Sequence, residues 1–177
     1  MGQRDFTYIG TLFFRSIQRF VIYLVVLMNA VFTTVESVNY QGNIYWYLQK
    51  LNTSILFYKK CLKEADQNDD SLRVVVVLSD IGYVFSDQDK NDSAIYYLHK
   101  SIELAEEYNF ERAENRSKTF LAHSYENTKQ YAPTLEIYKG LIGYCIANDS
   151  KDNAYTVYTN MASCYQSLGQ LDTVLSH

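Results

Sequence analysis

The chain has 177 residues, of which 47% are hydrophobic and 20% are charged, a composition that suits one folded domain rather than a disordered chain. Its 16 basic and 20 acidic residues give a net charge of −4, which excludes a strongly basic nucleic-acid-binding domain. Only 7 glycines, one proline and 3 cysteines argue against a turn-rich β fold, a disulfide framework and a cysteine-rich zinc site. The composition therefore predicts a helical, mildly acidic protein that is rich in aromatic residues.

The N-terminal segment, residues 1–37, differs from the rest of the chain. Arg15 and Arg19 precede an uncharged run of 13 mainly apolar residues, Phe20–Phe32. A basic segment followed by such a run is the layout of a secretory signal, and Val35-Glu36-Ser37 suits a cleavage site. Basic residues before the run also favour export of the chain that follows.

Three interpretations of this segment stay open. It is a cleaved signal peptide, an uncleaved membrane anchor through residues 20–35, or a buried first helix of the domain. The apolar run extends over about 16 residues at most, whereas a membrane span needs about 20. The first two interpretations predict an extracytoplasmic domain, either periplasmic or anchored to the membrane, and the third predicts a cytoplasmic one.

A period of 40 residues runs through residues 38–177. Shifting the chain by 40 aligns a column of aromatic residues, namely Tyr45, Phe85, Tyr125 and Tyr165. Three residues earlier stands a small residue in each copy: Gly42, Gly82, Ala122 and Ala162. Nine residues after the aromatic come a slender and an aliphatic residue: Ser54-Ile55, Ala94-Ile95, Thr134-Leu135 and Val174-Leu175. These columns predict about three and a half repeats, 38–70, 75–109, 115–148 and an incomplete 155–177.

Each copy is predicted to form two antiparallel helices. Apolar residues recur three and four apart over Ser71–Phe85 and Asn115–Tyr125, which are first helices, and over Ser93–Ala105, a second helix. The valines Val74–Val77 belong to a helix in this interpretation, although four in a row locally resemble a strand. Asp92 or Ser93 is predicted to cap the second helix, and Pro133 lies in the first turn of the next one. One such pair cannot bury both its faces, so neighbouring pairs must stack.

The best-formed copy has a small residue, an aromatic, a small residue, a large apolar residue and a small residue at fixed spacing: Gly82, Phe85, Ala94, Leu98 and Ser101. This pattern resembles the tetratricopeptide repeat (TPR), and the resemblance covers roughly residues 36–177. The chain departs from the family in its period, which is 40 rather than about 34, and in lacking the usual Trp and Pro of the repeat. It is most similar to the longer-helix repeats of exported or membrane-tethered bacterial regulatory proteins.

The resemblance implies an all-α fold in which antiparallel helix pairs stack into a right-handed superhelix, an α-solenoid, after an apolar N-terminal helix. It also implies a groove, lined by the first helices, that binds a peptide or a protein partner. Helical spacing projected onto this chain predicts the groove residues Asn39, Asn43, Trp46, Tyr47, Ser79, Tyr83, Ser86, Thr119, His123, Glu126, Thr159, Ser163 and Gln166. The Lys and Asn clamp that some family members use for a terminal carboxylate is not visible.

The sequence offers no constellation for catalysis, and we expect no cofactor and no metal site. His99, His123 and His177 lack a partner at metal-ligand spacing, and no phosphate-binding glycine loop is present. Cys61 and Cys145 occupy inward columns of second helices, which predicts that they pack in the core. Cys145 and Cys164 lie on helices that would be neighbours, so a disulfide between them is an open alternative for an exported chain.

Two functions of different class follow. The first is a non-catalytic, exported TPR module that binds a peptide or protein and serves as the extracytoplasmic sensing part of a signal-transduction regulator, with the membrane contacted through residues 20–35. The second is a cytoplasmic assembly scaffold whose N-terminal apolar segment caps the array or contacts another copy. In the second case the incomplete C-terminal repeat would pair with another chain. Direct nucleic-acid binding is expected in neither.

Overall fold

The structure, a computed structural model, describes residues 35–169, and within them it contains helices and no strand. The helices are α1 Val35–Tyr47, α2 Leu51–Gln67, α3 Ser71–Asp87, α4 Asn91–Glu107, α5 Glu111–Asn127, α6 Tyr131–Ala147 and α7 Lys151–Ser167. The predicted all-α class is therefore confirmed, and Val74–Val77 lie within α3 as expected. The predicted N-terminal apolar helix and the second helix of the incomplete last repeat lie outside the described residues.

None of the helices in the described range is both long enough and apolar enough to cross a membrane. By compactness the chain divides into two units, Met1–Glu64 and Ala65–His177, with the boundary inside α2. The first helix pair, α1 and α2, belongs almost entirely to the first unit. The second unit contains the pairs α3–α4 and α5–α6, and also α7.

A 20-residue period underlies the 40-residue repeat. From α2 onward every helix has 17 residues, and three-residue connections join consecutive helices. The middle residue of each of the six connections has a positive φ: Gln49, Asp69, Asp89, Asn109, Lys129 and Asp149. Gly169, the second residue after α7, also has a positive φ. Each helix in the described range is therefore followed by a residue in the left-handed conformation.

The turn is a Schellman motif, as the connection after α3 shows. The amide of Asp89 donates to the carbonyl of Ser86 at 3.0 Å, and the amide of Lys90 donates to the carbonyl of Phe85 at 2.9 Å. The carbonyl of Lys90 then accepts the amide of Ala94 at 3.0 Å, which is the first hydrogen bond of α4. One residue thus closes one helix and opens the next, which accounts for the short and uniform connections.

This turn also explains where the sequence-based caps and boundaries differ from the structure. The N-cap of α4 is Lys90, whose side chain forms no capping hydrogen bond, so the prediction that Asp92 or Ser93 caps this helix is wrong. Asp92 instead lies in the first turn, where its negative charge interacts favourably with the positive end of the helix dipole. Helix α5 begins at Glu111, four residues before the predicted start. The prediction omitted this first turn because it is rich in charged residues and has little apolar periodicity.

In the first unit, α1 and α2 pack through the small-residue columns of the repeat. A Cβ added at Gly42 would overlap the ring of Tyr58, so glycine permits this close approach. The Ser54 hydroxyl donates to the Gly42 carbonyl at 2.8 Å, and the Tyr58 hydroxyl donates to Asn43 Oδ1 at 2.5 Å. The aromatic column contributes Tyr45, which stacks on Phe57 with ring centroids 5.0 Å apart.

In the second unit the same columns form the core. A Cβ at Gly82 would lie 2.6 Å from Leu98 Cγ and 3.2 Å from the Ala94 carbonyl oxygen. Phe85 fills the space beside this contact and stacks on Tyr97 at 5.5 Å. The apolar core continues through the following pair as a cluster of Ala122, Leu135, Tyr138, Leu141, Val157 and Cys164. The small and large columns read from the sequence thus correspond to close helix contacts and to core side chains.

Buried serines join three helices of this unit. The Ser101 hydroxyl on α4 donates to the Val75 carbonyl of α3 at 2.8 Å, and it lies 2.9 Å from the Ser117 hydroxyl of α5. All three residues are almost inaccessible to solvent. Polar groups this deeply buried destabilise a fold unless they are hydrogen-bonded, so the network favours this arrangement of the three helices.

Candidate partner-binding surface

The first helices of successive pairs, α3, α5 and α7, form one face of the second unit, termed here the first-helix surface. Three side-chain contacts join α3 to α5 along it. The Arg116 guanidinium lies 2.5 Å from Asp80 Oδ1, and the rings of Tyr83 and Phe120 stack with centroids 4.5 Å apart. Further along, the Asn127 amide donates to the Ser86 hydroxyl at 3.2 Å. The surface is therefore a connected array of polar and aromatic side chains.

The predicted groove residues differ widely in accessibility. Tyr47, Thr119, His123, Thr159, Ser163 and Gln166 are exposed, whereas Asn43, Trp46, Tyr83 and Glu126 are partly buried. Asn39, Ser79 and Ser86 are buried, with relative exposures of 7%, 1% and 2%. Ser86 is occupied by the contact with Asn127. Helical spacing assigns a residue to a face, but it does not reveal which neighbouring helix covers that residue.

Glu126 holds three helices together rather than projecting freely from the surface. Its Oε1 accepts a hydrogen bond from Cys164 Sγ of α7 at 2.9 Å, and its carboxylate also interacts with the Tyr138 hydroxyl of α6. Burial, and then the Glu126 carboxylate, raises the pKa of Cys164 to about 12. The same two causes, in the same order, raise the pKa of Tyr138 above its ordinary value. Both groups are therefore protonated donors at neutral pH.

All three cysteines in the described range are free and buried, so no disulfide joins Cys145 to Cys164. Cys61 and Cys145 pack in the core as predicted, with exposures of 0% and 4%. The Cys164 thiol is directed at Glu126 and not at another sulfur. The thiols thus serve packing and hydrogen bonding in this fold.

A cleft of about 280 Å³ opens between α5 and α7, with α6 at its floor. Leu141, Cys145 and Val157 contribute apolar groups. The polar side chains around them are arginines, asparagines, threonines and one tyrosine: Arg112, Arg116, Asn115, Asn153, Asn160, Thr119, Thr156 and Tyr144. Amides and hydroxyls both donate and accept hydrogen bonds, and guanidinium groups pair with carboxylates in a bidentate manner. The cleft can therefore bind peptide groups and an acidic side chain together.

Only one of the predicted groove residues, Thr119, lines this cleft. The sequence-based prediction did not include the two arginines, because Arg112 precedes the predicted start of its helix and Arg116 lies outside the columns that define the repeat. A signal was present in the repeat itself, since Arg112 and Arg116 stand 40 residues after Leu72 and Val76. The same column thus changes from apolar on α3 to cationic on α5, a difference typical of positions that face a ligand rather than the core.

No group of three or more His, Cys, Asp or Glu in the described range is placed to hold a metal ion. The two described histidines have ordinary surface contacts. His99 Nε2 lies 3.1 Å from the Tyr125 hydroxyl, and His123 Nδ1 lies 4.0 Å from Glu126 Oε2. The chemistry that the first-helix surface offers is thus hydrogen bonding, charge pairing and apolar contact.

Comparisons with known proteins agree with this architecture. A tetratricopeptide repeat model matches residues 39–68. Aspartyl phosphate phosphatase F from Bacillus subtilis has a similar structure, with a TM-score of 0.75 and 15% identity over 80% of this chain and 37% of that one. BtubC from P. vanneervenii has a TM-score of 0.70 at 14% identity, over 90% of this chain and 65% of that one. The chain thus spans about a third of the length of the phosphatase and about two thirds of the length of BtubC. Among curated proteins, no sequence matches significantly.

A third similar structure is a Podosopora anserina putative kinesin light chain with nearly identical TPR-like repeats. Its TM-score is 0.68 at 11% identity, over 98% of this chain and 86% of that one. At such identities the likeness concerns the fold. The described part of the chain therefore has the fold of all-α proteins built from repeated helix pairs. Within that class, residues 39–68 match the tetratricopeptide repeat, and the fold is similar to that of structures with TPR-like repeats.

Proposed function

We propose that this chain is a non-catalytic module that binds a peptide or protein segment in the cleft between α5 and α7. The observation that carries the proposal is the lining of the cleft, in which amide, hydroxyl and guanidinium groups surround a small apolar floor. An extended peptide presents unpaired backbone N–H and C=O groups along its length. Side chains such as Asn153 and Thr119, each able to donate and accept, match that alternation.

The cleft also suits a chain better than a compact small molecule. Small-molecule sites bury most of the ligand in a concave and mostly apolar cavity. Here the cleft lies along the first-helix surface, between two parallel rows of polar side chains, so a segment of chain can pass through it. The partly apolar floor at Leu141 and Val157 would receive one side chain at a time.

Selection from a random linear peptide library, displayed on phage, tests this function on the full-length tagged chain. Selected peptides are then labelled, and their affinities for the wild-type chain and for variants with a filled cleft are measured by fluorescence anisotropy. Thr119→Trp and Asn153→Trp place a bulky ring in the cleft and should weaken binding about tenfold or more. Lys100→Trp puts the same ring on an exposed site of α4 and is the matched control. Failure to select any peptide, or equal binding by all three variants, would count against the proposal.

We further propose that the module is the extracytoplasmic sensing part of a signal-transduction regulator. The support is in the sequence, where Arg15 and Arg19 precede the apolar run Phe20–Phe32 in the layout of an export signal. A binding cleft outside the cytoplasm would sample peptides or proteins there, and the segment at residues 20–35 would connect it to the membrane.

Fractionation of cells expressing the full chain with a C-terminal tag, with mass analysis of its N-terminus, tests the location. A mature chain beginning near Val38, or a full-length chain in the membrane with a protease-accessible repeat domain, is expected. A full-length chain in the cytoplasm would contradict export. It would favour the cytoplasmic scaffold, with the apolar segment as a capping or oligomer-contact helix.

A further inference from the structure

Two depressions on the first-helix surface share the same pair of arginines. One is the polar cleft between α5 and α7 described above. The other, of about 410 Å³, lies between α3 and α5 and is lined mainly by apolar atoms from Leu72, Val76, Phe110 and Ala113, with Glu111 also contributing. Arg112 and Arg116 line both. They form a cationic ridge that separates an apolar depression from a polar one, and this ridge is the basis of the inference.

The apolar depression exposes hydrophobic surface that the fold does not use. Leu72 is 49% exposed although it lies in a helix with a largely buried face. Val76 and Phe110 are partly buried at the same place. Burial of this apolar surface by a ligand side chain would be favourable, because it removes hydrophobic groups from water. A single large side chain, aliphatic or aromatic, would bury the exposed groups of this depression.

The arginines on the ridge differ in their engagement. Arg116 is held by Asp80 at 2.5 Å, and its guanidinium lies over the Phe120 ring, 4.8 Å from the centroid. Arg112 is exposed, and among the side chains that the structure describes, which do not include that of Asp152, none forms an ion pair with it. A guanidinium carries five N–H donors, so Arg116 keeps donors beyond those that Asp80 receives. Among the described side chains lining the polar cleft, none is a carboxylate. The described lining of the cleft therefore offers cationic groups to a carboxylate of a ligand.

The geometry fixes the spacing of the two ligand groups. The depressions lie on opposite sides of α5, and packed helices are 8–10 Å apart, so their centres are separated by roughly 10 Å. An extended chain advances about 3.3 Å per residue. A peptide that fills both sites would therefore carry its acidic and its apolar side chain about three residues apart.

We propose that the ligand of this surface is an extended acidic peptide segment with a large apolar side chain about three residues from an aspartate or glutamate. The carboxylate pairs with Arg112 and Arg116, and the apolar side chain enters the depression at Leu72, Val76 and Phe110. The inference rests on the proposed peptide-binding function and specifies the class of peptide. A nucleic acid would also offer anions, but two arginines on a chain of net charge −4 provide little of the electrostatic binding it needs.

The phage-display selection tests this inference when the selected peptides are sequenced and their residue types and spacings are compared. We expect enrichment of Asp or Glu and of Leu, Ile or Phe at a spacing of about three residues. Arg112→Gln should weaken a selected peptide about tenfold, whereas Lys100→Gln, which removes an exposed positive charge on α4, should leave its affinity unchanged. Leu72→Asn should also weaken binding, and Leu56→Asn, at another exposed leucine, should not.

Charge reversal gives the sharpest outcome. Selection on the Arg112→Glu variant should enrich Lys and Arg in place of acidic residues, because the charge at this position of the ridge is reversed. Peptides that bind in the cleft but are neutral or basic with the wild-type chain would overturn this inference and leave the proposed function standing. Tighter binding of a labelled single-stranded oligonucleotide than of any selected peptide would overturn it as well. If no peptide is selected, the inference and the proposed function both fail.

Discussion

Asp80 of α3 and Arg116 of α5 form an ion pair with a separation of 2.5 Å between Oδ1 and the guanidinium nitrogen. The Asp80 side chain is only 9% exposed, whereas that of Arg116 is 41% exposed. The pair is thus anchored in the protein at its acidic end and open to solvent at its basic end. It positions the Arg116 guanidinium over Phe120 and at the rim of both depressions.

Replacing Asp80 by Asn should destabilise the second unit because it removes the charge from the buried end of the ion pair that joins α3 to α5. We expect the free energy of unfolding to fall by about 2 kcal/mol, as measured by urea denaturation followed by circular dichroism. Glu136→Gln, which breaks the exposed pair with Lys139, is the control and should cost less than about 0.5 kcal/mol. Equal losses for the two variants would show that Asp80 contributes no more than a surface charge.

Gly82 is predicted to tolerate no side chain, despite the general preference of helices for alanine. Gly82→Ala places a methyl 2.6 Å from Leu98 Cγ and near the Ala94 carbonyl, so α3 and α4 must separate. We expect a net loss of about 2 kcal/mol. Gly143→Ala, on the exposed face of α6 with no atom within 4 Å of the new methyl, should instead stabilise by about 0.5–1 kcal/mol. Destabilisation by both substitutions would contradict the close-contact explanation.

Lys129 occupies the left-handed position of the turn after α5, with φ at 59°. An L-residue other than Asn, Asp or Gly is strained in this region by roughly 1 kcal/mol. Lys129→Gly should therefore raise the free energy of unfolding by about 1 kcal/mol while keeping the Schellman hydrogen bonds. Lys129→Ala retains the Cβ and should give no such gain. The two thermal or urea midpoints, compared directly, check the prediction.

The repeat was predictable from the sequence because its columns are core contacts. Gly82 and Leu98 must approach each other in every well-formed copy, so their small and large sizes recur every 40 residues and are visible without a structure. The turn residues were not predictable in this way. Gln49 and Lys129 have no intrinsic preference for a positive φ, and the hydrogen-bonded backbone of the turn imposes it on them.

The candidate site was predicted less well, and the reason is again physical. Helical phase placed Ser79, Ser86 and Thr119 on one face, but accessibility depends on the neighbouring first helix, as the contact between Ser86 and Asn127 shows. The residues that distinguish the cleft, Arg112 and Arg116, lie at positions that the repeat pattern leaves unspecified. A pattern of core columns identifies what holds the helices together and says little about what they present to a partner.

The cluster of Cys164, Glu126 and Tyr138 predicts that stability falls at alkaline pH. The pKa of Cys164 is raised to about 12 from the ordinary 9.0, chiefly by burial and then by the Glu126 carboxylate. The folded state therefore retains a proton that the unfolded state releases above roughly pH 9, so the free energy of unfolding is undiminished below that pH and declines as the pH rises towards 12. Tyr138 adds to the decline above about pH 10, since its pKa is also raised.

The Cys164→Ser variant distinguishes the contribution of the thiol to this pH dependence from the contributions of Glu126 and Tyr138. A serine hydroxyl can still donate to Glu126 Oε1, but it does not titrate in this range, so the hydrogen bond is kept while the thiol's proton release is removed. Between pH 9 and 10, where tyrosine and lysine contribute least, the urea midpoint of the serine variant should decline less steeply than that of the wild-type chain. Cys164→Ala removes the donor as well, and it should lower the midpoint already at neutral pH because the Glu126 carboxylate then loses a buried partner. Parallel pH profiles for the wild-type chain and the serine variant would show that the thiol does not release its proton on unfolding as the geometry requires.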